Sequence, residues 1–421
     1  MPSTSPHRHF AIDVVRRLQA AGFEALFAGG CVRDEIMGHT PSDYDVATNA
    51  RPDQVRGVFG SRHTLAIGQA FGVIAVRDSR GGGVVEVATF RQDGPYSDGR
   101  HPDAVEFSDA EHDAQRRDFT INGLFLDPLR QQVFDYVGGV TDIQTQTIRA
   151  IGEPAARFAE DHLRLLRAPR FAARLHFTIE PRTLTAIQSH AAAIQTVAAE
   201  RVGNEMRMML DGRSAAAAFD WLVQTSLWRW TAPTLWPDPA QADSALATTR
   251  DVLARLAPAT FECALAALIW GLAATPLPAL HDVATRWKLS NHEVDHVGWL
   301  VGHVQDLACG ATVPWPNLQR LLIHPWAADG IALATALVGC ASWTYPDLQF
   351  SRERLRWPVA QLNPPPLLDG HDLKDLGIAQ GPIYSKILWT VRDQQLLGVL
   401  QTRDQALAVA RELGRGPPAG A

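Results

Sequence analysis

The 421-residue sequence predicts an α+β fold: a head of alternating strands and helices, then a remainder that is helical almost to its end. Three observations carry this prediction. Strand and helix signals alternate through the first third. After about residue 150 long alanine- and leucine-rich helical periods take over, with few β-branched clusters. Two interruptions, at Asp211-Gly212-Arg213 and at Asn363-Pro364-Pro365-Pro366, then divide the helical part.

In chain order, residues 10–20 carry apolar side chains at helical spacing. Residues 24–28 form a short strand candidate that ends at the pair Gly29-Gly30. Residues 72–76 and 84–88 read as strands on either side of the Gly81-Gly82-Gly83 turn, and 133–137 as another. These signals give a head at 1–145, a helical neck at 146–213, a helical body at 214–362 and a helical tail at 363–413. The Gly- and Pro-rich residues 414–421 read as a disordered terminus. The length allows two to four domains, and no internal repeat is evident.

A composition of 46% hydrophobic and 20% charged residues is that of an ordinary globular protein. No signal peptide is recognised, and the longest apolar run, 263–274, is too short for a membrane span. Four scattered cysteines form no CxxC pair, which argues against a zinc site or a disulfide framework and for a reducing cytoplasm. The net charge of −6 does not advertise a nucleic-acid binder. Only three of the 39 basic residues are lysine, a bias that phosphate binding and high-GC coding both produce. Position is more telling: residues 149–213 hold ten arginines against seven acids.

The chemistry concentrates in Gly29-Gly30-Cys31-Val32-Arg33-Asp34, followed by Asp43-Tyr44-Asp45. Glycines at a helix start let phosphate oxygens reach backbone N–H groups. Residues two apart on a strand share a face, so Asp43 and Asp45 can hold the same metal ions. Mg²⁺ suits such a pair, since it takes one or two carboxylates and completes its shell with water and substrate phosphates. Together these features point to a nucleoside triphosphate and a metal. The plain alternative is a glycine turn followed by an acidic surface loop.

Two further motifs are Arg116-Arg117-Asp118-Phe119-Thr120-Ile121-Asn122 and Glu160-Asp161-His162-Leu163-Arg164. With them, and with Ala199-Glu200-Arg201-Val202 before Glu205, the chain resembles the class II tRNA nucleotidyltransferases, that is, the CCA-adding enzymes and their poly(A) polymerase relatives. The resemblance covers nearly the whole chain. It implies a head with a DNA polymerase β-like mixed sheet, and template-independent addition of CMP and AMP from CTP and ATP to the 3′ end of tRNA. It also implies that Asp43 and Asp45 bind two Mg²⁺ ions, and that Gly30, Arg33 and Arg117 contact the nucleotide. Glu86 is either a third carboxylate or a solvent-facing strand residue. Asp118 and Asn122 either face the nucleotide or form a polar helix start. Residues 91–116, with Tyr96, Arg100-His101-Pro102 and Asp103, match the family's flexible loop. The segment 67–72 resembles the CCA-adding form more than the poly(A) polymerase form.

Asp161, Arg164, Arg167 and Arg170 are the neck residues that the resemblance assigns to the incoming nucleotide. Cytosine and adenine share an exocyclic amine donor beside a ring-nitrogen acceptor. An aspartate accepting from the amine and an arginine donating to the ring nitrogen would select both bases without a template. Asp161 and Arg164 take that role. The alternative is an i,i+3 ion pair on a solvated helix, worth only a few tenths of a kcal/mol. On a helix, steps of three residues drift, so the four side chains would spiral, and Pro169 is expected to kink the helix before Arg170. Trp221, Trp228, Trp230 and Trp270 sit in apolar contexts and are expected in the core, although RNA stacking would also use such residues. His371-Asp372 reads as structural. The expected partners are the tRNA 3′ end, CTP and ATP, with no membrane; the oligomeric state is left open.

Overall fold

The computed structural model describes residues 5–68, 72–78, 81, 83–94, 104–339 and 345–414. Parts of four sequence readings therefore lie outside the described residues: 69–71 of the 67–72 segment, Gly82 of the 81–83 turn, 95–103 of the loop, and 415–421 of the terminus.

The chain forms two compact units, residues 1–236 with 285–288, and 237–284 with 289–421. In the first, α1 (Pro6–Ala20) starts on Ser5, whose side chain accepts from the Arg8 amide. Its buried stripe of Ala11, Val14, Val15 and Leu18 covers a seven-stranded sheet. The strand β1 (Ala25–Ala28) leads into α2 (Gly30–Ile36), β2 (Asp45–Thr48) and α3 (Pro52–Phe59). Next come β3 (Thr64–Gly68), β4 (Val73–Arg77) and β5 (Val84–Thr89). A separate antiparallel ribbon, β6 (Arg91–Asp93) with β7 (Val105–Phe107), carries the two ends of the loop region. Then follow α4 (Ala110–Gln115), β8 (Leu124–Asp127) and β9 (Gln132–Asp135).

The sheet order is β3-β4-β5-β2-β1-β8-β9, with β2 and β5 parallel and every other neighbour antiparallel. It is the mixed sheet the sequence predicts. All four residues of β1 are buried, because helices cover one face and the second face closes over Phe90 and Phe125, packed edge to face at 5.7 Å.

The rest of this unit is helical apart from one short parallel pair. In order come α5 (Gly139–Gln144), β10 (Thr147–Ile148), α6 (Pro154–Glu160), α7 (Arg164–Leu175), β11 (Thr178–Ile179), α8 (Pro181–His190), α9 (Ala199–Leu210), α10 (Ala215–Gln224) and α11 (Leu227–Thr231). Although α9 stops at Leu210 as expected, α10 packs back on α7 and α9, and the unit runs on to Trp236. Trp228 and Trp287 are fully buried and meet edge to face, with their indole N–H groups donating to Leu235 and Thr231 carbonyls. Those two tryptophans are core.

In the second unit the helix Phe261–Leu272 is buried on nearly all sides, packed by Ala242–Leu256, Asn291–Ala308 and Ala327–Leu337. Toward the C-terminus, Leu373, Ile387, Val391, Ala406 and Ala410 form a small core of their own. Asp372 closes a capping box with Asp369 and pairs with Arg403, a structural role as expected. Among the described residues no helix is long and apolar enough to cross a membrane.

Close packing in the neck gives a test of sign. Alanine in a helix interior normally exceeds glycine by about 1 kcal/mol. At Gly203 in α9, however, a Cβ would lie 1.9 Å from the Trp287 carbonyl oxygen. Gly203→Ala is expected to lower stability by on the order of 1–3 kcal/mol, read as a lower denaturation midpoint; a raised midpoint would refute this packing.

Candidate active site

One open cavity of about 610 Å³ gathers most of the residues that the sequence singled out. It forms where β1 turns into α2, where the chain enters β2, and where α7 faces them. Gly29 sits at φ +73°, and a Cβ there would lie 2.9 Å from Arg117 Nη1, so only glycine fits both the turn and the neighbour. The turn places the start of α2 and Gly30 at the cavity wall. One turn into α2, Arg33 is 5% exposed and donates to Asn122 Oδ1 at 2.7 Å and to Asp34 at 2.8 Å.

Asp43 and Asp45 form the acidic side. Tyr44 between them is buried against Phe27 at 5.1 Å; Asp43 and Tyr44 lie just before β2 rather than in it. Asp45 opens β2, in register with Ala28 of β1 and Glu86 of β5. Asp45 lines the cavity, yet the surrounding protein and the charges of Asp43 and Glu86 push its carboxyl up to about 6, against the pull of Arg117 and His7. A cation bound beside Asp45 would relieve this crowding of negative charge. Among the described residues no cluster of three or more His, Cys, Asp or Glu forms a complete metal cage. Two aspartates facing a phosphate-sized cavity suit Mg²⁺, which draws its other ligands from water and phosphate.

Arginines supply the opposite side. Asp113 of α4, 1% exposed, takes both Nε and Nη2 of Arg117 at 3.1 and 2.9 Å, and Nε and Nη2 of Arg116 at 2.9 and 2.7 Å. The Asn122 carbonyl accepts from Arg117 Nη1. Asp118 accepts from Asn122 Nδ2 and the Phe119 amide on Oδ1, and from Arg167 at 2.7 Å on Oδ2. Burial alone would raise the Asp118 carboxyl. The Arg167 charge and the hydrogen bonds from Asn122, Arg167 and Phe119 outweigh it and hold the carboxyl at about 2. Of the two readings left open for Asp118 and Asn122, the structure places both at the cavity.

The neck residues depart from the expected arrangement. Asp161 lies outside any helix, extended at φ −140°, between the end of α6 and the start of α7. It and Arg164 both line the cavity but do not pair with each other, so the solvated i,i+3 bridge is absent. Asp161 is held by Arg201 at 2.9 Å, and Arg164 by Glu160 at 2.5 Å and by the carbonyls of Arg157 and Arg116. Arg170 is a correction: it is 6% exposed, bonded to Glu205 at 2.6 Å, and does not line the cavity. The helical period that brings Arg164 and Arg167 to one side turns Arg170 into the neck core. Pro169 lies inside this helix. The run Arg164–Leu175 passes through it, with Leu165, Leu166, Ala168, Phe171 and Ala172 buried around it, and packing outweighs the lost bond.

Sequence reasoning gave Asp113, Glu160 and Arg201 no role. The spacing of Asp113 to Arg116 and Arg117, and of Glu160 to Arg164, is that of helical ion pairs and was a usable signal. Arg201 acts across 40 residues; the segment Ala199-Glu200-Arg201-Val202 carried the resemblance but gave it no partner.

Residues 25–149 match the family described as "Poly A polymerase head domain", and residues 176–238 that described as "Probable RNA and SrmB- binding site of polymerase A". Fold and site thus define the class: a nucleotidyltransferase head joined to a helical part of RNA-binding type. The CCA-adding enzyme of Levilactobacillus brevis is 32% identical over 413 residues, 95% of this chain and 96% of its own length. That of Lactiplantibacillus plantarum is 37% identical over 292 residues, 68% of each chain. The crystal structure of Bacillus stearothermophilus CCA-adding enzyme in complex with CTP aligns with a TM-score of 0.78 at 27% identity, covering 98% of both chains. This chain belongs to the CCA-adding enzyme family.

The Asp118 carboxyl is depressed in the fold from an ordinary 3.8 to about 2. Its contribution to stability is therefore complete above the ordinary value and is lost as pH falls toward 2. Asp118→Asn should cost on the order of 2 kcal/mol near neutrality, and should flatten the fall in thermal midpoint between pH 4 and pH 2. Equal slopes for the two proteins would contradict the Asp118–Arg167 assignment.

Proposed function

We propose that the protein adds CMP and AMP, drawn from CTP and ATP, to the 3′ end of tRNA by Mg²⁺-dependent nucleotidyl transfer. The observation that carries this reading is one cavity shared by the Asp43–Asp45 pair, the arginines Arg33, Arg117 and Arg167, and the neck residues Asp161 and Arg164. A nucleotide bridging them would have its triphosphate at the start of α2 and its base at the neck. Family membership supplies the acceptor, and the RNA-type match at 176–238 supports it. Work on tRNA fits a cytoplasmic protein, and reducing conditions there suit the free Cys31, Cys263 and Cys309.

Each side chain has a task set by its partners. Arg33 and Arg117 are oriented by Asn122 and Asp113, leaving their remaining N–H groups for phosphate oxygens. Arg167, braced by Asp118, is a third donor. Such donors, fixed before substrate arrives, stabilise charge on the transferring phosphoryl and pyrophosphate groups without reorganising. Asp43 and Asp45 would hold Mg²⁺, which when bound lowers the pKa of the attacking 3′-hydroxyl and neutralises the leaving pyrophosphate. Asp161 accepts the exocyclic amine common to C and A, and Arg164 donates to the adjacent ring nitrogen.

Purified protein with Mg²⁺ should extend tRNA lacking the CCA end when given CTP and ATP together, and tRNA ending in CC when given ATP alone. No incorporation on either would reject the reading, and A-only or CC-only products would select a partial activity of the same family. Asp43→Ala and Asp45→Ala should each lower kcat by about a thousandfold or more. Because cation binding requires Asp45 ionised and its carboxyl sits at about 6, the apparent KM for Mg²⁺ should rise as pH drops below 6. A Mg²⁺ requirement that is flat from pH 7.5 to 5.5 would exclude Asp45 as a ligand.

A further inference from the structure

The Asp161 carboxylate is gripped on both oxygens. Oδ1 accepts from the Leu163 amide at 3.0 Å and from Arg201 Nη1 at 3.2 Å, while Oδ2 accepts from Arg201 Nη2 at 2.9 Å. Arg201 lies in the first turn of α9 and lines the same cavity. The side chains are 24% and 17% exposed, so the pair faces the cavity without being dissolved in solvent. An aspartate on an extended connection has no helix to fix its rotamer. A two-pronged guanidinium fixes both the position and the plane of the carboxylate, which a single-point cation cannot do.

Each carboxylate oxygen accepts at two lone-pair sites, and Oδ2 has spent only one on Arg201. We propose that Arg201 is the positioning residue for base choice: it sets the Asp161 carboxylate so that the remaining acceptor site of Oδ2 meets the amine of cytosine or adenine and repels the carbonyl of uracil or guanine. The proposal rests on the reading of Asp161 and Arg164 as the base-selecting pair. Arg201 acts through Asp161 and does not itself read the base. It also neutralises an anion in the cavity that a triphosphate must enter.

The seat of α9 does not depend on this contact. Further along the helix, Glu205 is bonded to Arg170 and Gly203 lies against the Trp287 backbone. Charge and geometry can therefore be separated. Arg201→Lys keeps the positive charge beside Asp161 but loses the fork, whereas Arg201→Met loses both.

The test measures kcat and KM for CTP, ATP, UTP and GTP singly, on tRNA lacking CCA and on tRNA ending in CC. The proteins compared are wild type, Arg201→Lys, Arg201→Met, Asp161→Asn and the Asp161→Asn/Arg201→Met double variant, each with its thermal midpoint. Arg201→Lys should keep its midpoint and hold the KM for CTP within about threefold, while the CTP-over-UTP ratio of kcat/KM falls by about tenfold or more. Arg201→Met should fall further in ratio and also raise KM, and should change the ratio no further when Asp161 is already Asn. Wild-type selectivity in both Arg201 variants, with selectivity lost in Asp161→Asn, overturns the proposal and leaves the base-reading pair intact. Selectivity retained in Asp161→Asn removes the base-reading pair itself, and the role of Arg201 with it. If Arg201→Met fails to fold, Arg201→Lys decides alone, an unchanged ratio being the overturning result.

Discussion

The Asp118 carboxylate joins the two halves of the site. Taking an ionised carboxylate out of water is costly, and it persists only where charge and hydrogen bonds replace its hydration. Here the replacement comes from two directions: Asn122 and the Phe119 amide from the head, and Arg167 from the neck helix α7. Asn122 in turn accepts from Arg33 of α2, the helix whose start lines the cavity. A chain of hydrogen bonds thus runs from the glycine turn to the neck. It is the reason that Asp43 and Asp45, at the start of a central strand, and the neck residues Asp161 and Arg164, more than a hundred residues later, open onto one cavity.

The charge pattern around that link is asymmetric, and the asymmetry fits the proposed chemistry. Each cavity arginine has an acidic or amide partner that orients it: Arg117 and Arg116 on Asp113, Arg33 on Asn122, Arg164 on Glu160, Arg201 on Asp161. Asp43 and Asp45 have no such cation seated on them; Asp43 accepts only from the Ser42 hydroxyl among the described contacts. Paired arginines are held in place and lose little on receiving phosphate, whereas crowded carboxylates gain from a divalent cation. The two sides therefore invite different halves of a metal–triphosphate complex.

Much of the fold was legible because its signals are local. Apolar spacing at 10–20 and the β-branched run at 84–88 each depend on residues within a few positions of one another, and each matches an element of the structure. The helix end near 213 is visible in sequence, but which helices the next one packs against is not: α10 returns to α7 and stays with the first unit. Arg170 failed for a related reason. Its spacing from Arg164 matches a motif, yet its burial with Glu205 depends on where α9 lies.

The sequence by itself determined the chemical inventory: a glycine turn, two aspartates at strand spacing, and a neck with an aspartate and several arginines. Residue type and short-range spacing decide what a group can bind, and both are written along the chain. Only the tertiary structure decided the partner of each charge. Asp161 pairs with Arg201 across 40 residues, Asp118 with Arg167 across 49, and Arg33 with Asn122 across 89. Electrostatic and hydrogen-bond energies fall off over ångströms in space and carry no imprint of separation along the chain, so these pairings exist only once packing has brought the helices and the sheet together.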